Sequence, residues 1–115
     1  MDESILTTIK KLFGIDSSYN DAFDQDIIVH INTTISILYQ LGIDSCRAFT
    51  VHDDSETWGD LLDNDELLNS VQTYMFLRVK SIFDPANGSA NESLDRIRQE
   101  LEWRINVTVD PKGFW

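Results

Sequence analysis

The residues of this 115-residue chain whose types could do chemistry are two histidines, one cysteine and an acid-rich loop. Their spacing argues against it. His30 falls inside a helical pattern and His52 in a loop, and with Cys46 the only thiol there is no His-x-x-x-His or Cys-x-x-Cys pairing to hold a metal. The run 53–66 holds seven acids and no base, which invites a calcium reading. An EF-hand loop opened at Asp54, however, puts Trp58 at a ligand position, and one opened at Asp53 puts Trp58 where the turn needs glycine. Neither a phosphate-cradling glycine loop nor a Gly-x-Ser-x-Gly elbow is present. The expectation is a protein with no catalytic residues, no metal and no cofactor.

Charge and composition narrow the remaining classes. Apolar residues make up 42% and charged residues 25%, enough for one globular core and unlike a disordered acidic tail. Twenty acids against nine bases leave a formal charge of −11. The excess is confined to the first part, since residues 1–66 carry 14 acids and 3 bases while 67–115 carry 6 of each. Phosphate neutralisation needs a basic patch, so tight nucleic-acid binding is not expected. No run approaches the length of a membrane span, and the acidic opening Met1-Asp2-Glu3 is unlike the positive start of a signal peptide. A single cysteine suits a reducing cytoplasm.

The elements that must position whatever surfaces matter can be read from periodicity. Ile5, Ile9 and Leu12 recur at helical spacing over 3–13, with Gly14 in the position that ends a helix. A second helix is predicted over 21–41, with Ile27, Ile28, Ile31, Ile35 and Leu38 inward and Gly42 closing it. After an irregular run, Ser55 is the expected N-cap of one short turn that folds Trp58, Leu61 and Leu62 inward. Asp63 and Glu66 resemble a capping box for a third helix over 64–83, apolar around most of its circumference and so expected at the centre. Asp84-Pro85 stops it. Ser89 and Glu92 form a second capping-box pattern for a fourth helix over 89–106, with Leu94, Ile97, Leu101 and Ile105 inward and opposite charges laddered at Glu92, Arg96, Glu100 and Arg104 on the outside. Val107-Thr108-Val109 alternates like a strand, and the chain ends in Phe114-Trp115. The fold class is therefore all-α, a single domain over 1–115 built as a small bundle of about four helices, with a short extended C-terminal tail over 107–115.

What remains is surface. Trp103 lies off the inner stripe of the last helix, and two valines followed by two aromatics suit an edge added to a partner. Candidate partner-binding residues are Trp103, Arg104, Val107, Val109, Phe114 and Trp115. Within the acidic run, Asp53, Asp54, Glu56 and Asp60 are candidate intersubunit acids.

Ordered words along the chain carry a resemblance. These are Leu41-Gly42-Ile43; Thr57-Trp58 followed by Leu61-Leu62; the run 71–79 continuing to Phe83-Asp84-Pro85; and Leu101-Glu102-Trp103-Arg104 within 100–107. Together they resemble the small bacteriophage head-tail connector proteins, the adaptor or head-completion family that binds beneath the portal. The loop after Pro85 departs from the family's turn. The resemblance implies a virion protein at the head-tail junction, assembled in the host cytoplasm. It further implies a homo-oligomeric ring, commonly dodecameric, that docks on the portal, extends the DNA channel without binding DNA tightly, and presents a surface to the next head-completion or tail component. On that reading, deleting 107–115 leaves a folded monomer that no longer joins portal complexes.

A rival of another class is an acidic DNA mimic that inhibits a host nuclease or restriction enzyme. Net charge favours it, but a mimic spreads carboxylates over an extended face, whereas the last 49 residues are neutral overall.

Overall fold

A computed structural model describes residues 3–14, 23–62, 65–83 and 88–109. Among these the chain forms four helices of two turns or more: α1 (Ile5–Leu12), α2 (Asp24–Gln40), α4 (Asp65–Phe83) and α5 (Gly88–Val109). A single turn, α3 (Trp58–Leu61), and a 3-10 turn at Asp44–Cys46 lie between α2 and α4. The all-α bundle expected from periodicity is the observed architecture.

The middle of the bundle is α4. Val71, Tyr74, Met75 and Val79 are fully buried along it, Leu68, Phe76 and Leu77 are half-buried, and α1, α2 and α5 all pack against it. Eight residues are too few for a stable isolated helix, so α1 depends on this packing. It buries Ile5, Leu6 and Ile9, with the Ser4 hydroxyl accepting from the Thr7 N–H at 3.2 Å and Gly14 leaving the helix at φ +77°. Leu12, although in step with Ile5 and Ile9, is exposed; Phe13 turns inward instead, its ring 5.3 Å from that of Phe76.

Three polar clamps hold the connections. Trp58, buried, donates its indole N–H to the Thr8 hydroxyl at 2.9 Å, while its backbone and that of Glu56 exchange hydrogen bonds with Glu3 and Ile5. This ties the loop before α4 to the start of α1 through the isolated bridge Ser4–Thr57. The Asn32 amide grips Val51 at both ends, donating to its carbonyl at 3.0 Å and accepting from its N–H at 2.8 Å. At the far end of α2, the Asn106 amide donates to the Leu41 carbonyl at 2.6 Å. Val109 there lies so close to Gly42, at φ +115°, that a Cβ added to the glycine would sit 2.7 Å from the valine. Gly42 thus serves both a left-handed turn and a close approach.

Several local expectations are corrected. The short turn is capped by Thr57 rather than Ser55, because Asp60 stands three residues after Thr57 and completes a reciprocal capping box; the Ser55 N–H instead donates to Asp53. Val107 to Val109 do not form an extended stretch: they continue α5, where Asn106 and Val109 gain partners on α2 that outweigh the local preference of β-branched residues for strands. Helix α5 already begins at Gly88, one residue before the expected start. Asp63, Asp21 and residues 110–115, including Phe114 and Trp115, lie outside the described residues.

Replacing Asn32 by Ala strands a backbone donor and an acceptor at buried Val51, at about 1–3 kcal/mol for each group left unsatisfied. Urea unfolding is expected to show a lower midpoint with an unchanged slope; an unaltered midpoint contradicts the clamp.

Candidate functional site

The outward face of α5 is set by what its inward face needs. Ile105 is fully buried and Leu94 and Leu101 half-buried, and between them Arg98 and Glu102 also turn toward α4. Tyr74 of α4 donates its phenol to Glu102 Oε2 at 2.7 Å, and Arg98 donates to the same oxygen at 3.0 Å. Burial, then the contact with Glu102, pushes the Tyr74 phenol well above the usual tyrosine range. This network rotates Arg98 inward and leaves Ile97, expected on the inner stripe, 45% exposed at its flank.

At about 100° per residue, the face opposite this seam carries Trp103, Val107, Arg96 and Glu100. Trp103 is 63% exposed, the most exposed of the large apolar residues described. Beside it Arg104 pairs with Glu100 at 2.7 Å, an exposed i,i+4 contact of small energetic weight. Of the six candidate partner-binding residues, Trp103, Arg104 and Val107 therefore fall together within one turn or so of α5. Val109 belongs to the core side, against Gly42, and Phe114 and Trp115 lie outside the described residues.

The four candidate acids gather in the loop around α3. Asp53, Asp54 and Asp60 are exposed and Glu56 is half-exposed. Asp60 closes the Thr57 capping box and Glu56 accepts from the Asp53 N–H at 3.3 Å. Hydrogen bonds from the Ser55 hydroxyl and N–H hold the Asp53 carboxyl below its ordinary range. An open cleft of about 190 Å³ beside them is lined by Leu6, Asp24, Gln25, Ile28, His52, Asp53 and Asp54. Among the described residues no group of side chains is arranged to hold a metal, and no helix is long and apolar enough to cross a membrane.

Sequence reasoning passed over two features. Lys10 is 3% exposed and sits 2.7 Å from Asp24, joining the end of α1 to the start of α2; no spacing marks a lysine as buried. The outer face of α2 was legible but not singled out. No acid, lysine or arginine occurs from residue 27 to 43, and the exposed positions of α2 within that span are Val29, Thr33, Ser36, Tyr39 and Gln40.

A family model described as phage connector protein matches residues 5–112. The chain belongs to the phage connector family. No curated protein matches the chain, and no solved structure matches it either. Family membership makes this a bacteriophage head-tail connector, a structural role, and the all-α bundle is consistent with it. The matched span takes in α1 through α5, so every clamp described above lies inside the connector domain.

Two chemical consequences follow for this connector. Burial pushes the Cys46 thiol up to about 12, so native protein should resist alkylation at pH 8 and react fully once unfolded in urea. For Tyr74, whose phenol is raised in the folded state, the stabilisation is intact below pH 10 and is lost as pH climbs above it. Alkaline unfolding of the wild type should therefore steepen above pH 10, and Tyr74→Phe should flatten that loss; identical curves would exclude the coupling.

Proposed function

We propose that this connector assembles as a ring beneath the portal, continues the DNA channel toward the tail, and offers its far side to the next head-completion or tail component. The observation that carries this reading is the match to the connector family across nearly the whole chain. The exposed Trp103 on the outer face of α5 adds support, because large aromatics in the open are favoured anchors of interfaces. The ring is homo-oligomeric, twelve copies being the common number implied by the resemblance.

In this reading Trp103, Arg104 and Val107, with Phe114 and Trp115 beyond them, hold the portal or an adjacent subunit. Val109 contributes indirectly, by seating the end of α5 on Gly42. Asp53, Asp54, Glu56 and Asp60 face the channel. A cluster of carboxylates with no lysine or arginine in the run 53–66 repels the phosphates of passing duplex, so the DNA slides without adhering. No bond is made or broken; the work done is the free energy of assembly, with portal-bound subunits raising one another's effective concentration. The DNA-mimic reading is weaker, because α5 carries alternating charges on its outer face where a mimic needs a continuous acidic one.

Electron microscopy of the protein mixed with its cognate portal should show a ring of added density on the tail-side face. Removing residues 110–115 should leave the circular dichroism of the monomer unchanged while portal binding is lost. That cut is the informative one, since a longer deletion also strips Val109 from the core side of α5. Full-length protein that never associates with the portal would overturn the reading.

A further inference from the structure

The acidity of this chain limits how two copies can touch. At a formal charge of −11, most approaches bring like charges together, which is costly unless the facing patches are neutral or complementary. Among the described residues, two helix faces meet that condition. The first is the outer side of α2 between Val29 and Gln40, which carries no charged side chain for about three turns. Val29 is 58% exposed there and Tyr39 41%. Even its hydroxyls are largely turned inward, with Thr33 donating to the Val29 carbonyl at 3.0 Å and Ser36 to that of Asn32 at 3.3 Å. The methyl of Thr33 thus joins Val29 in an effectively apolar strip flanked by neutral hydrogen-bonding groups.

The second is the outer side of α5, where Glu92, Arg96, Glu100 and Arg104 sum to zero around Trp103 and Val107. Tryptophan and arginine on a face with no net charge are the residue types that anchor interface centres. Helices α2 and α5 both pack on α4, and the contacts described between them lie at their C-terminal ends, Asn106 on Leu41 and Val109 on Gly42. The sides of α2 and α5 that carry Val29 and Trp103 are therefore not the sides packed on the shared helix, and they are two separate surfaces of one subunit. Two different neutral faces on one subunit are what a head-to-tail contact requires, whereas an isologous dimer needs only one self-complementary face.

We infer that the uncharged outer face of α2 on one subunit receives the Trp103 face of α5 from a second copy of this chain, and that this heterologous contact closes the ring. The inference rests on the ring reading above and names its surfaces. Val29, Thr33 and Tyr39 form the receiving strip; Trp103 and Val107 enter it, with Arg96 and Arg104 at the rim against Ser36 and Gln40.

The test uses two variants of the full chain, Val29→Glu to block the α2 face and Trp103→Glu to block the α5 face. Thr33→Glu is a second block of the first face should Val29→Glu unfold by circular dichroism. Assembly is followed by sedimentation velocity and native mass spectrometry, alone and with the cognate portal. The expected result is that wild type forms closed oligomers and each variant alone stays monomeric. An equimolar mixture should give a discrete 1:1 heterodimer, because one intact α2 face and one intact α5 face remain between them. If wild type assembles and either variant still does so, or the mixture fails to pair, the surface assignment is overturned while the ring stands. Wild type that stays monomeric both alone and with portal overturns both.

Discussion

The constraint on which the structure depends is the circumference of α4. A helix apolar nearly all the way round cannot be covered by one neighbour, and α1, α2 and α5 each contribute a single greasy side to it. Each of those helices also keeps a large apolar side chain in the open: Leu12 on α1, Val29 and Tyr39 on α2, Trp103 on α5. The geometry of a small bundle around one central helix therefore leaves several outward helix faces, whose chemistry is free of the demands of folding and available to assembly.

How those faces are coloured follows from electrostatics as much as from hydrophobicity. The acid excess sits largely before α4 and gathers in the loop around α3, where hydrogen bonds and capping keep the carboxylates in defined places. Helix α2, although it lies in that acidic part of the chain, carries acids only at its first turn, where Asp24 pairs with buried Lys10 and both Asp24 and Asp26 favour the helix dipole. Beyond that turn the chain holds no acid until Asp44. On a molecule with this much negative charge, a charge-free helix face of about three turns is an exception that core packing does not require, since the buried side of α2 is a separate set of residues.

Much of this was legible in the sequence because the governing signals are local. Period-3.6 spacing located α1, α2, α4 and α5, glycine at 14 and 42 marked two helix ends, and the apolar fullness of 67–83 placed α4 at the centre. The failures share one cause, a tertiary partner that the local pattern could not announce. Val107-Thr108-Val109 has the composition of a strand, but Gly42 leaves room for Val109 and Leu41 offers a carbonyl to Asn106, so the helix runs on. Ile97 has the right spacing for the core, yet the carboxylate of Glu102, shared by Tyr74 and Arg98, turns the helix so that an arginine lies further inward. Lys10 is buried for the same kind of reason, its charge met by Asp24 across a helix junction.

The candidate site divides along the same line. Trp103 and Arg104 were readable as outward residues because α5 has a regular period, and they are outward. Val109 was grouped with them only through the mistaken extended stretch; once residues 107–109 are helical, Val107 stays near Trp103 while Val109 rotates toward α2. That rotation ties the outer face of α5 to the end of α2 inside each subunit. A load applied at Trp103 by a neighbouring molecule would pass through Asn106 and Val109 to Leu41 and Gly42, the end of the helix that bears the charge-free face. Within the subunit the end of α5 is thus joined to the end of α2 by a direct, closely packed contact rather than through the chain alone.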